Sequence, residues 1–279
     1  MKSVAAVQMA SGPQVQANLM EANRLIRQAA DEGAGLVVLP EVFGIMGLTD
    51  KDTVATAEPF GEGQMQDFIS RKAKEYGVWI VAGTIPLLSD DPGKYSASSL
   101  LYNDQGEQVA RYDKTHLFDV KVEEEDQVYT ESNTVVPGTE AVVVDTPFGK
   151  LGMTVCYDLR FPELYRHLVR QGAEIITVPS AFTEATGMAH WEPLLRARAI
   201  ENLCYIVAPA QGGYHVNGRT TWGHSMVIDY WGRIRGQLSK GAGITSMVIE
   251  LDELHATRKN FPVLEHCCPA GTLSVYSQA

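Results

Sequence analysis

Leu151-Gly152-Met153-Thr154-Val155-Cys156-Tyr157-Asp158-Leu159-Arg160-Phe161-Pro162-Glu163-Leu164 passes from an apolar run, through a thiol, into a proline-led segment. The first five residues read as a buried strand. Pro162-Glu163, followed by Leu164, Leu168 and Val169, reads as the start of an amphipathic helix, because proline suits the first helical turn and the spacing aligns one apolar face. A strand that ends in a thiol and turns at once into a helix places that thiol at the rim of a sheet, where α/β enzymes assemble their chemistry. Free cysteine is also a common core residue. Cys156 alone therefore does not decide between packing and catalysis.

Two further strand ends bear on that choice. Leu36-Val37-Val38-Leu39-Pro40-Glu41 closes an apolar run on a carboxylate, and Arg111-Tyr112-Asp113-Lys114-Thr115-His116-Leu117 sets a lysine just past another. Taken singly, Glu41 fits a solvated loop charge and Lys114 fits a surface ion pair. Taken together, a thiol, an ammonium and a carboxylate on three strand ends can supply a nucleophile, an electrostatic stabiliser and a proton carrier.

Further strand-like runs fall near residues 4–9, 78–84, 98–102, 108–112, 141–146, 175–178, 205–210, 225–228, 233–237 and 245–250. Val15, Leu19, Ala22, Ile26 and Ala29 mark one helix face, Met65, Phe68, Ile69 and Ala73 a second, and Trp191, Leu194, Leu195 and Ala199 a third. Asn103-Asp104-Gln105-Gly106 and Asp229-Tyr230-Trp231-Gly232 have the glycine position of hairpin turns. Residues 88–94 and 121–127 read as surface loops, the second with the acidic run Glu123-Glu124-Glu125-Asp126. One internal echo stands out: Gly33-Ala34-Gly35-Leu36-Val37-Val38-Leu39-Pro40 is matched by Gly172-Ala173-Glu174-Ile175-Ile176-Thr177-Val178-Pro179. Each follows an amphipathic helix, which suggests two sheets with helices outside. Coincidence within common α/β grammar is the alternative.

Composition narrows the partners. The chain has 279 residues, 45% of them hydrophobic, enough for a full core, and nothing in it resembles a linker. One domain over residues 1–279 is expected. A formal net charge of −11 opposes a nucleic-acid partner, which needs a basic stripe. No apolar run approaches a membrane span and the N-terminus enters a strand almost at once, so a cytoplasmic protein is expected. Cys156, Cys204, Cys267 and Cys268 make no zinc-like spacing, and His116, His190 and His224 are scattered. With no phosphate-binding glycine loop either, neither metal nor nucleotide cofactor is expected.

The order Glu41, Lys114, Cys156, within Leu-Pro-Glu, Tyr-Asp-Lys-Thr-His-Leu and Cys-Tyr-Asp-Leu-Arg-Phe-Pro-Glu, resembles the nitrilase, or carbon–nitrogen hydrolase, superfamily. The likeness runs from Val4 to about Pro269 and is strongest to the Nit branch, which holds deaminated-glutathione amidases and ω-amidases. Supporting stretches include His116-Leu117-Phe118-Asp119-Val120, Glu131-Ser132-Asn133, Ala189-His190-Trp191-Glu192 and Gly223-His224-Ser225-Met226. Tyr230 and Met188 depart from the pattern, each standing where a proline is usual. The resemblance implies a four-layer αββα sandwich that dimerises into a larger one, with the tail from about residue 259 at a subunit interface. It also implies an amidase that takes a small carboxylate-bearing amide to acid and ammonia through a cysteine thioester, deaminated glutathione being the leading substrate. An ω-amidase on α-keto acid amides is the nearest alternative. A nitrilase, a silent binding protein and a thiol redox protein rank below it.

On this scheme Cys156 attacks the carbonyl, Glu41 moves protons, and Lys114 with the backbone N–H of Tyr157 holds the oxyanion. The resemblance adds Glu131 as a second carboxylate that orients Lys114. Arg160 is expected either to bind a substrate carboxylate or to pair with an acid such as Glu163. Phe182 and Thr183 are further substrate-contact candidates. His116, Arg196 and Arg198 are expected to be structural.

Overall fold

The computed structural model describes residues 2–123 and 127–266. Its strands, in chain order, are β1 (Ser3–Gln8), β2 (Leu36–Val38), β3 (Trp79–Val81), β4 (Ile85–Leu88), β5 (Tyr95–Tyr102), β6 (Gln108–Asp113), β7 (Asp119–Val122), β8 (Gln127–Thr130) and β9 (Val142–Thr146). They continue with β10 (Gly149–Met153), β11 (Ile175–Thr177), β12 (Tyr205–Ala208), β13 (Gly212–Tyr214), β14 (Thr220–Trp222), β15 (Met226–Ile228), β16 (Ile234–Gln237) and β17 (Gly243–Val248). The helices are α1 (Val15–Asp31), α2 (Asp50–Ala55), α3 (Gln64–Tyr76), α4 (Pro162–Arg170), α5 (Glu184–Asn202) and α6 (Leu251–Asn260).

Period-two burial explains the layering. Ala5, Val7, Val37 and Leu39 join α1 and α3 in one core through Leu19, Ala22, Ile26, Met65, Phe68 and Ile69. The alternate residues Val4, Ala6, Leu36 and Val38 belong to the other core, with Leu151, Met153, Ile175 and Ile206 of the second sheet and Tyr165, Trp191 and Leu195 of α4 and α5. Helices, sheet, sheet and helices thus stack as αββα. The first sheet runs β17-β1-β2-β3-β5-β4 with β6 beside β5, and the second runs β16-β15-β12-β11-β10-β9.

The echo noted in the sequence has a structural counterpart. β2 lies between two parallel neighbours, β1 and β3, and β11 lies between parallel β10 and β12. These near-continuously apolar strands are the parallel centres of their sheets, buried on both faces. Both proposed glycine turns close hairpins: Asn103 N–H donates to Glu107 O at 2.9 Å and Asp229 N–H to Arg233 O at 3.0 Å, with Gly106 at φ +80° and Gly232 at φ +78°.

One expected loop folds otherwise. Residues 119–122 and 127–130 pair antiparallel as the β7–β8 hairpin, with Val120 opposite Tyr129. Glu124, Glu125 and Asp126 of the acidic run lie outside the described residues, as do Cys267 and Cys268. No described helix is long and apolar enough to cross a membrane.

Candidate active site

The two sheets deliver their carboxyl ends to a shared cavity of about 470 Å³. Glu41 arrives two residues past the Leu39 backbone N–H, which still donates to Val81 O at 2.9 Å, so the first sheet fixes its base. Lys114 follows β6, where its own backbone N–H donates to Ala97 O at 3.0 Å. Cys156 opens a short 3₁₀ turn, Cys156–Arg160, directly after the second sheet's β10.

Cys156 adopts φ +48°, a left-handed backbone that a residue with a Cβ enters only under strain. The surroundings hold it there. Its N–H donates to Pro179 O at 2.9 Å, the Val155 N–H donates to Asp158 Oδ2 at 2.8 Å, and Arg198 clamps the far end of the turn by donating to Leu159 O at 2.8 and 3.1 Å. The Cys156 N–H is therefore spent, while that of Tyr157 follows the nucleophile at the N-terminal end of the turn, the place for an oxyanion donor.

Lys114, only 2% exposed, donates from Nζ to Glu41 Oε1 at 2.8 Å and to Glu131 Oε1 and Oε2 at 2.8 and 2.9 Å. Glu131 in turn accepts from the Phe118 N–H at 2.7 Å, so both ends of the cluster are anchored. Burial opposes the Lys114 charge, but Glu131 and Glu41, with Cys156 beside them, outweigh it and hold the lysine well above its ordinary value. Burial and the Glu41 charge push Glu131 up, against the pull of Lys114.

The thiol of Cys156 is pushed well above its ordinary value, first by burial and then by the Glu41 charge, while Lys114 and a hydrogen bond from the Ala181 backbone pull the other way. Charge counting gives the reason. One ammonium already faces two carboxylates, so a thiolate adds a second uncompensated negative charge. Burial and the Glu41 carboxylate thus both favour the protonated thiol over the thiolate. The arrangement is suited to transferring that proton during attack rather than storing a thiolate.

Tyr157, Phe182 and Thr183 line the cavity with Glu41, Lys114, Glu131 and Cys156. Thr183 is also the N-cap of α5, accepting from the Thr186 N–H. Arg160 is not among the lining residues. Its guanidinium lies 5.5 Å from the Phe182 ring centre and 5.8 Å from that of Tyr157, with Nη1 3.3 Å from His190 Nδ1 in place of the expected acid. His116 stacks on Phe161 at 3.7 Å and sets Nδ1 2.7 Å from Asp158 Oδ1, a structural position. Sequence reasoning missed Arg219, which lines the cavity from the β13–β14 hairpin. It sits in no recognisable motif, and only the folding of that hairpin over the cavity brings it there. Among the described residues no group of three or more His, Cys, Asp or Glu is arranged to hold a metal ion.

An αββα sandwich whose strand-end cysteine shares a cavity with a lysine and two glutamates defines the nitrilase class of hydrolase folds. This chain belongs to the carbon–nitrogen hydrolase family, whose profile matches residues 3–259. It is 46% identical over 265 residues to a deaminated glutathione amidase of Yersinia enterocolitica, covering 95% of this chain and 92% of that one. Among solved structures it resembles Saccharomyces cerevisiae Nit3, a member of branch 10 of the nitrilase superfamily, with a TM-score of 0.83, 31% identity and 94% of each chain covered. It also resembles the C. elegans NitFhit protein, with a TM-score of 0.85 and 36% identity; the match covers 95% of this chain but spans only 65% of that longer one.

Proposed function

We propose that this protein is a cysteine amidase for a small carboxylate-bearing amide, with deaminated glutathione as the leading substrate. The observation that carries the chemistry is the Lys114 ammonium held between Glu41 and Glu131 beside the Cys156 thiol. The substrate follows the names of relatives such as the Yersinia enterocolitica amidase.

The Cys156 sulfur adds to the amide carbon while its proton passes to Glu41. Lys114 and the Tyr157 N–H receive the negative charge that develops on oxygen. Collapse of the tetrahedral intermediate breaks the C–N bond, and Glu41 returns the proton to the departing nitrogen. Water then attacks the thioester with Glu41 as base, releasing the acid and restoring the thiol. Glutathione's nitrogen links are secondary amides, so for its deaminated form the departing group is an amine, whereas a primary amide releases ammonia. Glu131 serves to orient Lys114 throughout.

The catalytic unit is a cytoplasmic homo-oligomer, a compartment in which free thiols persist. The test is a panel of deaminated peptides, ω-amides and nitriles, followed by acid release so that amine and ammonia products both register. Wild-type protein is expected to turn over at least one carboxylate-bearing amide, and Cys156→Ala to lose turnover while keeping its circular dichroism. Full turnover by a folded Cys156→Ala protein rejects the nucleophile.

A further inference from the structure

The cavity wall carries three carboxylates, Glu41, Asp50 and Glu131, against two cations, Lys114 and Arg219. The Lys114 ammonium lies within 2.9 Å of three oxygens of Glu41 and Glu131, so its positive charge is already more than balanced by these two carboxylates. An anionic ligand entering the cavity would meet net repulsion without a second positive group. Arg219 is that group.

Its side chain is held but not consumed. The nearest acid is Asp50, with Nη2 to Oδ1 at 3.5 Å, and both side chains are well exposed, a pairing worth little in water. The guanidinium lies over the ring of Tyr129, 5.5 Å from its centre, so the β7–β8 hairpin backs it. A plane supported on one face presents its edge donors as a fork matched to a carboxylate.

The backbone beneath it is fixed from several directions. The Arg219 N–H donates to Asn217 Oδ1 at 3.0 Å, and Asn217 Nδ2 donates to Gly47 O at 2.8 Å. His215 donates its backbone N–H to Arg219 O at 2.9 Å, while its buried ring bridges Ser11 O at 2.8 Å and Thr221 Oγ1 at 2.7 Å. The hairpin therefore presents Arg219 from a rigid base rather than a loose loop.

We propose that Arg219 is the specificity residue for a substrate carboxylate, holding the anionic end of an amide while the Cys156–Lys114–Glu41 group acts at the other. This assignment deepens the amidase function and rests on it for its biological meaning. Arg160 is placed differently, its guanidinium behind the lining rings of Tyr157 and Phe182 and its Nη1 3.3 Å from His190 Nδ1.

The experiment uses Cys156→Ala protein, which binds without turnover, with and without Arg219→Gln. Calorimetry compares glutaramate, which carries one carboxylate and one amide, with the uncharged glutaramide. The expected result is a roughly 10- to 100-fold loss of glutaramate affinity in Arg219→Gln, the scale of a charge-assisted hydrogen-bonded contact, with glutaramide binding unchanged. Arg219→Lys is expected to recover part of the loss, because it keeps the charge without the fork. In the Cys156-containing protein, Arg219→Gln should raise KM for the carboxylate-bearing amide and leave kcat/KM for propionamide unchanged. Equal loss for both ligands, no loss for either, or no binding of glutaramate before the substitution overturns the proposal. Arg219-dependent glutaramate binding in a protein that hydrolyses no amide would instead reject the amidase function and leave the anion site standing.

Discussion

Glu41 faces two groups with opposite needs: it accepts from the Lys114 ammonium at 2.8 Å and neighbours the Cys156 thiol, whose ionisation its charge opposes. Replacing it with glutamine separates those effects. Loss of the negative charge favours the thiolate, so at pH 7.5 Glu41→Gln should alkylate faster with iodoacetamide at Cys156 than wild type. Amide turnover should move the other way and fall steeply, because the proton carrier is gone. Slower alkylation, read by mass spectrometry of the Cys156 peptide, refutes the electrostatic assignment. In wild type the raised thiol value also means that alkylation should keep climbing with pH beyond 9, where an ordinary cysteine is approaching full ionisation. A plateau near pH 8 contradicts it. Lys114 makes the complementary case: Lys114→Ala should lower kcat by roughly a hundredfold or more, the usual scale for one oxyanion donor. Its stability effect has a defined sign. Because the folded-state value is raised above the unfolded one, the stabilisation it contributes is complete below about pH 10 and is lost as pH rises through the folded value.

At the scale of elements, Asp158 connects the two strand ends that carry the chemistry. Its fully buried carboxylate accepts from Tyr112 Oη at 2.7 Å and the His116 backbone N–H at 3.1 Å on the Lys114 side, and from the Val155 N–H at 2.8 Å on the Cys156 side. Asp158→Ala leaves the Val155 and His116 N–H groups without this acceptor and Tyr112 Oη with Thr115 Oγ1 alone, and should destabilise the fold by about 2–4 kcal/mol. Tyr112→Phe keeps the carboxylate and its backbone donors but removes the hydroxyl's bonds to Asp158 and Thr115, and should cost less, about 1 kcal/mol. Urea denaturation decides: equal midpoints for the two variants would show that the carboxylate does not join the segments. Much of this level was legible in the sequence. The faces of α1, α3 and α5 follow from their apolar spacing, since Leu19, Ile26, Met65, Ile69, Trp191 and Leu195 are all buried. Glu41 and Cys156 were legible because each comes within three residues of an apolar strand, β2 or β10, and Lys114 because it directly follows β6. The β7–β8 and β13–β14 hairpins were not. Their strands are four or three residues long, and tertiary contacts carry the β13–β14 pair: the Gly212 N–H donates to Met9 O and the Trp222 N–H to Phe182 O, partners distant in sequence. Arg219 was hidden for the same reason, whereas Arg160, conspicuous four residues after the thiol, lies at the cavity-lining ring of Phe182 and beside His190.

For the whole molecule, the outer surface still carries apolar groups that a solitary sandwich has no use for. Phe261 is 52% exposed, Trp231 48% and Ile200 49%. They form one neighbourhood: the Phe261 and Trp231 rings meet edge to face at 5.9 Å, and the Cα of Gly232, next to Trp231, is so close to Ile200 that an added Cβ would lie 2.4 Å from Ile200 Cγ1. The segment after α6 is partly self-contained, since Leu264 packs against the core of its own chain. Phe261 is what remains to be covered, and a two-fold axis beside this patch would bury it against its own copy. Light scattering should accordingly give at least a dimer for the intact chain. A chain ending at Asn260 should shift toward monomer, and Trp231→Glu should do the same without touching the tail, because a charge placed in an apolar contact is penalised on both sides. An intact protein that scatters as a monomer removes the assembly. An oligomer that survives both changes moves the interface elsewhere on the sandwich. A shift with truncation alone assigns the contact to the tail rather than to the Trp231 turn, and each result is interpretable only if the active-site half of the molecule still reacts with iodoacetamide as the wild type does.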